Sequence, residues 1–288
     1  MKQILIALFL CGFFLGLRAQ EEPIRVLIIG AHPDDCDLDA GGTALLFTQL
    51  GHQVKFLSLT NGDAGHQDKG GGALARIRRS EAQEAGRRFG VEYKVLDNHD
   101  GELMPTLENR LQLIREIRNW NADIVIGPRP NDYHPDHRNT SILMQDAAFM
   151  VIVPNVAPDT PPVKKNPVFL YSRDHFQKPY PFEPDISVII DDVFDQKVYG
   201  FSAHESQFFE WLPWTTGTLD EIPEGQDARL EYLALRRPDT PNDVVKENLT
   251  KWYGSKAAGA KHAEAFEICE YGKQPTDEEI RRLFPMLR

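Results

Sequence analysis

An α/β fold, a mostly parallel sheet with helices on both faces, is predicted for this 288-residue chain from three observations. Short, continuously apolar runs such as Ile24 to Gly30 fit strands buried on both faces. Helical stretches alternate with these runs. The connections between them are short, as in a three-layer, Rossmann-like domain.

The elements follow in order. After the strand Ile24 to Gly30, Gly41 to Leu50 reads as a helix that Gly51 stops. Gln53 to Leu59 is the second strand, and a glycine-rich loop, Asn61 to Gly72, leads into a helix from Ala73 to Phe89 closed by Gly90. Val91 to Leu96 is a third strand, Leu107 to Trp120 a helix, and Asp123 to Gly127 a fourth strand. The helix Asn139 to Val151 precedes a proline-rich loop, Val153 to Pro167. Val168 to Ser172 and Ile186 to Ile190 read as strands, and Val193 to Ala203 as a helix. Leu212 to Pro241 reads as loop with at most a short helix near Arg229. No repeat or clean linker divides residues 20–288, which are expected to form one domain.

Residues 1–19 stand apart. A basic start at Lys2, a short greasy run and the small Ala19 read as a signal peptide, so the chain is expected to be exported, periplasmic or secreted. The run is too short to span ~30 Å of hydrocarbon comfortably, so no stable membrane insertion is expected after its removal. With 43 acidic against 32 basic side chains, the net charge of -11 argues against a nucleic-acid partner, which calls for a basic face. Beyond the signal only Cys36 and Cys269 remain, and they are expected as two buried free thiols.

The chemistry sits in two loops. After the first strand comes Ala31-His32-Pro33-Asp34-Asp35, where a dinucleotide site would place glycines around a pyrophosphate. Two carboxylates there repel an anion and suit a cation. After the fourth strand comes Asp132-Tyr133-His134-Pro135-Asp136-His137, at another carboxyl end. Two His and one Asp make an open N/O site with room for water, the pattern of a catalytic rather than a structural zinc.

These two motifs resemble those of the PIG-L/LmbE-like deacetylases, which open with A-H-P-D-D and close the metal site with H-P-D-H. Further matches are Thr60 to Gly65, Arg78-x-x-Glu81, Asp100 to Leu103, His204-x-Ser206-Gln207 and Ala263 to Glu267. The resemblance implies one Zn2+ per chain held by His32, Asp35 and His137. It also implies that Asp34 is the general base and that His134 faces the substrate carbonyl as acid or charged stabiliser. Asp136 suits a hydrogen bond that fixes an imidazole tautomer. Asp63, Arg78, Asp100, His204 and Gln207 become candidate substrate contacts. Asp63 departs from the usual Glu and also fits plain turn chemistry, while Arg78 shares its helix with Arg76 and Arg79 on what would otherwise be a solvated face. His66 reads as a surface histidine. Phe208, Phe209, Trp211 and Trp214 fit core packing better than a sugar platform.

The expected activity is removal of an N-acetyl group from an N-acetylglucosamine-type amino sugar or glycan. Hydrolysis of a non-sugar amide, and an idle metal- or glycan-binding protein, are the competing readings. The intact Asp34 speaks against the idle one.

Overall fold

The computed structural model describes residues 22–287, so the expected signal peptide lies outside the described residues. Seven strands form one sheet in the order β3-β2-β1-β4-β5-β7-β6. They are β1 (Arg25–Gly30), β2 (Gln53–Thr60), β3 (Glu92–Asn98), β4 (Ile124–Gly127), β5 (Val168–Ser172), β6 (Ile186–Ile189) and β7 (Ala263–Gly272). The first five run parallel, and β7 is antiparallel to both β5 and β6.

Both faces of the sheet are buried, as the unbroken apolar runs require. Val26 and Ile28 point into one core with Phe47, Phe56 and Phe89, while Leu27 and Ile29 point into the other with Leu113, Ile117 and Met144. Helices α1 (Asp35–Gln49) and α2 (Gly71–Phe89) cover the first face, and α3 (Leu107–Trp120) and α4 (Pro135–Met150) cover the second. The proline-rich loop after α4 is organised from α3. The buried Arg118 guanidinium donates to the carbonyls of Met150, Val151, Val153, Val156, Ala157 and Thr160.

Two helices begin a full turn or more earlier than their sequence suggests. The expected start at Gly41 coincides with a kink at Ala40 (φ -146°) that splits α1. Glu264 on β7 accepts the Gly42 and Thr43 N–H groups at 2.8 and 2.7 Å, capping the second segment from 222 and 221 residues away. Buried Lys197 pairs with Glu264 and donates to the Leu38 carbonyl, closing the first segment. The helix expected from Asn139 starts at Pro135, with His134 as its N-cap.

The later chain is more helical than its polar composition suggests. After α5 (Phe194–Phe201) come a π-helical turn, Ser206–Trp211, then α6 (Leu212–Thr216), α7 (Gln226–Arg236), α8 (Asp243–Tyr253) and α9 (Asp277–Leu283). The stretch read as loop holds α6, and the short helix allowed near Arg229 is α7, 11 residues long. No helix among the described residues is long and apolar enough to cross a membrane. Cys36 and Cys269 are both free and buried, on opposite faces of the sheet.

The strand order reverses at β1, which lies between β2 and β4. Such a switch point opens a crevice beyond the carboxyl ends of the strands. The loops leaving β1 and β4 flank it.

Candidate active site

The first loop turns sharply. A Cβ at Gly30 would lie 2.7 Å from the Asp35 Cβ, so only glycine lets the first turn of α1 fold back on β1. Asp34 sits at the apex with φ 136°, a conformation that costs an L-residue on the order of 1–3 kcal/mol. It is buried, and its Oδ1 has no hydrogen-bond partner. The second loop ends in a cap. His134 Nδ1 accepts the Asp136 N–H at 3.2 Å, and Pro135 occupies the first helical position, where no N–H is needed. His137 follows in that first turn.

Three donor atoms converge between the loops. His32 Nδ1 lies 3.2 Å from His137 Nε2 and 3.6 Å from Asp35 Oδ2, and the last two are 3.4 Å apart. Three ligands on one tetrahedral zinc, with bonds of roughly 2.0–2.1 Å, stand about 3.3 Å from one another. These donors fit that ion. His134 also comes close, its ligand atoms within 4.8 Å of those of His32 and His137.

Carboxylates hold the far side of each ring. His32 Nε2 meets Asp100 Oδ1 at 3.1 Å and Asp136 Oδ2 at 3.3 Å, and His137 Nδ1 meets Asp132 Oδ2 at 3.1 Å. Those contacts assign the N–H to the outer nitrogen and leave the inner lone pair for a cation. Asp136 therefore stands where its expected tautomer-fixing role needs it. Asp132 was not singled out from the sequence, because beside Asn131 and a proline it looks like turn chemistry.

Charge follows the same plan. Burial and then the Asp35 charge push the Asp34 carboxyl up to about 6. Burial would also raise Asp35, but the His137 charge and the His32 hydrogen bond hold it well below the usual range. Burial opposes a charged His137, yet Asp35 and Asp132 override it and hold the ring up to about 9. In the metal-free protein a protonated His137 thus balances the ionised Asp35, and a divalent cation can replace that proton. His134 differs. Burial and the charges of His32 and His137 lower it, which favours the neutral ring.

The remaining candidates divide. Gln207 lines the ≈ 300 Å³ cavity that also holds His32, Asp34, Asp35 and His137. Asp100 reaches the cluster through His32. Asp63 has both oxygens engaged, by His99 Nδ1 at 2.6 Å and the Asp100 N–H at 3.0 Å, and so braces the loop carrying Asp100. Arg78 is buried, its charge acts on Asp34, and it donates to the Gly65 carbonyl at 2.7 Å. His204 corrects the expectation of substrate contact: it is fully buried outside the cavity, with Nε2 3.1 Å from Asp37. His66 is not a surface histidine, because it is buried against Glu210 at 2.7 Å and pins the glycine-rich loop. Phe208 and Phe209 are core residues, whereas Trp211 and Trp214 stack at 5.3 Å with Trp214 half exposed.

Comparisons with known proteins give the chain its family. Residues 27–148 match the family profile described as PIG-L, GlcNAc-PI de-N-acetylase. The chain is 33% identical over 198 residues to the diacetylchitobiose deacetylase of Thermococcus kodakarensis, covering 66% of this chain and 73% of that protein. The chain belongs to the PIG-L family. The N,N'-diacetylchitobiose deacetylase of Pyrococcus horikoshii superposes with a TM-score of 0.64 at 25% identity, over 86% of this chain and 84% of that one. The 4-oxalmesaconate hydratase of Pseudomonas putida is 24% identical over 201 residues, 67% of this chain and 78% of the relative. The mostly parallel α/β architecture expected from the sequence, here a sheet of seven strands among the described residues, is thus the fold of PIG-L deacetylases.

Proposed function

We propose that this PIG-L protein is an exported, zinc-dependent hydrolase that removes the N-acetyl group from an N-acetylglucosamine-type amino sugar or glycoconjugate. One observation carries the reading. A strained, buried carboxylate with a free oxygen stands beside three donors spaced for a single ion. The sugar is supported by the names of the deacetylase relatives.

His32, Asp35 and His137 would hold the ion. Bound zinc brings a water's pKa to roughly 7 and polarises a carbonyl. Asp34, with its carboxyl pushed up to about 6 by burial and by Asp35, suits a base working near neutrality. Its free Oδ1 takes the proton from the attacking water and later returns it to the leaving amine. His134 uses Nδ1 as the helix cap, so the neutral ring carries its proton on Nε2. That N–H donates to the amide oxygen as negative charge builds there. Gln207 lines the cavity, which supports assigning it to the sugar.

The Pseudomonas putida relative, named a 4-oxalmesaconate hydratase, supports a rival, a hydratase reaction on the same framework. Acetate release decides between them. Purified protein incubated with N,N'-diacetylchitobiose should yield acetate and free amine in equal amounts, and prior chelation should abolish both until Zn2+ is restored. No acetate from any N-acetylated glycan, with full metal occupancy, would overturn the reading.

Export rests on the signal-like residues 1–19. Mass spectrometry of natively produced protein is expected to find an N-terminus near Gln20 or Glu21, and an intact Met1 in the membrane fraction would contradict it.

A further inference from the structure

We infer that the Tyr93 hydroxyl is a positioning group for Asp34, holding its strained backbone so that the carboxylate faces the reacting water. The inference rests on the reading of Asp34 as the base.

Asp34 has φ 136° and ψ -28°, outside the regions that L-residues ordinarily occupy. Its N–H is enclosed and would be orphaned without an acceptor. Tyr93, 59 residues away on β3, supplies one: its hydroxyl accepts that N–H at 3.0 Å. A strained peptide persists only where its surroundings over-determine it. Removing the acceptor frees the peptide to rotate, and the carboxylate moves with it.

The hydroxyl is itself fixed. Its ring packs edge-on against Phe56, with centroids 5.3 Å apart. Burial, and then the neighbouring Asp37 carboxylate, keep the phenol protonated. Asp37 Oδ1 is 3.1 Å from His204 Nε2, and both residues are fully buried. The turn carrying His204 is tied to α2, because Glu81 accepts the Ser206 N–H and hydroxyl, each at 2.7 Å. Glu81, His204 and Ser206 thus serve one scaffold that ends at the Asp34 backbone. Tyr93 lies outside the cavity lining, so it acts through Asp34 and not on substrate.

Tyr93→Phe keeps the ring and removes only the acceptor. It should lower kcat by roughly 10–100-fold, the scale of a slightly misplaced reacting group, with KM and metal content unchanged. In an Asp34→Asn background the same change should have no further effect on kcat, since the group it positions is gone. Asp37→Asn should give a smaller kcat loss with the same dependence on Asp34, so the idea stays testable if Tyr93→Phe folds poorly. Wild-type kcat in folded Tyr93→Phe, or an equal loss in both backgrounds, would overturn the inference while leaving a crippled Asp34→Asn to support the base assignment. Wild-type turnover in Asp34→Asn would remove both.

Discussion

Asp34→Asn is expected to cut turnover by roughly 10²–10⁴-fold while leaving bound metal and substrate affinity unchanged. The change conserves shape, so the strained apex and its hydrogen bond to Tyr93 stay in place. It removes two things, the charge and the ability to take a proton. Neither is needed to hold an ion whose proposed donors are His32, Asp35 and His137. Both are needed by a group that accepts a proton from water and returns it to an amine. Steady-state kinetics beside elemental analysis checks the point. A metal-loaded Asp34→Asn protein that turns over at the wild-type rate would place the base elsewhere. Stability should move the other way. Asn carries no charge to bury beside Asp35, so the variant is expected to be at least as stable as the wild type.

The contrast between Asp34 and Asp35 marks what could be read from the residues alone. Strands β1, β4 and β5 were legible because a strand buried on both faces is mostly an unbroken apolar run. The two metal-suited loops were legible because two acids after a first strand exclude a phosphate ligand. The start of α1 was not, since the kink at Ala40 is capped by Glu264 and Lys197, which local pattern cannot see. The helix α6 hid because five residues, Leu212–Thr216, are too few to show a helical period, whereas α7 is the helix that the sequence allowed near Arg229, 11 residues long. His204 and His66 were misplaced because burial is a property of the fold. Each looks like an ordinary polar residue until Asp37 or Glu210 arrives from elsewhere in the chain. Asp132 was missed because the turn that hides it in sequence is the device that brings it to His137.

Loss of one imidazole should separate the two donor sets that the geometry allows. His137→Ala removes an atom 3.2 Å from His32 Nδ1 and 3.4 Å from Asp35 Oδ2, leaving two proposed donors, too few for a site of this kind. Bound metal and acetate release are both expected to vanish. Replacing its outer partner, Asp132→Ala, leaves all three donors but frees the ring, so metal affinity should fall by about 10–100-fold. His134→Ala should do the opposite of His137→Ala, keeping metal and losing turnover by roughly 10²–10³-fold, as removal of an oxyanion donor does. That substitution also deletes the N-cap of α4, at a cost of about 1 kcal/mol. His134→Asn retains a favoured capping residue and so separates stability from chemistry. Loss of metal in His134→Asn would make His134 a ligand and leave the substrate oxygen without its proposed donor. Retention, with turnover still low, assigns the ion to His32, Asp35 and His137 and frees the His134 Nε2–H for the substrate.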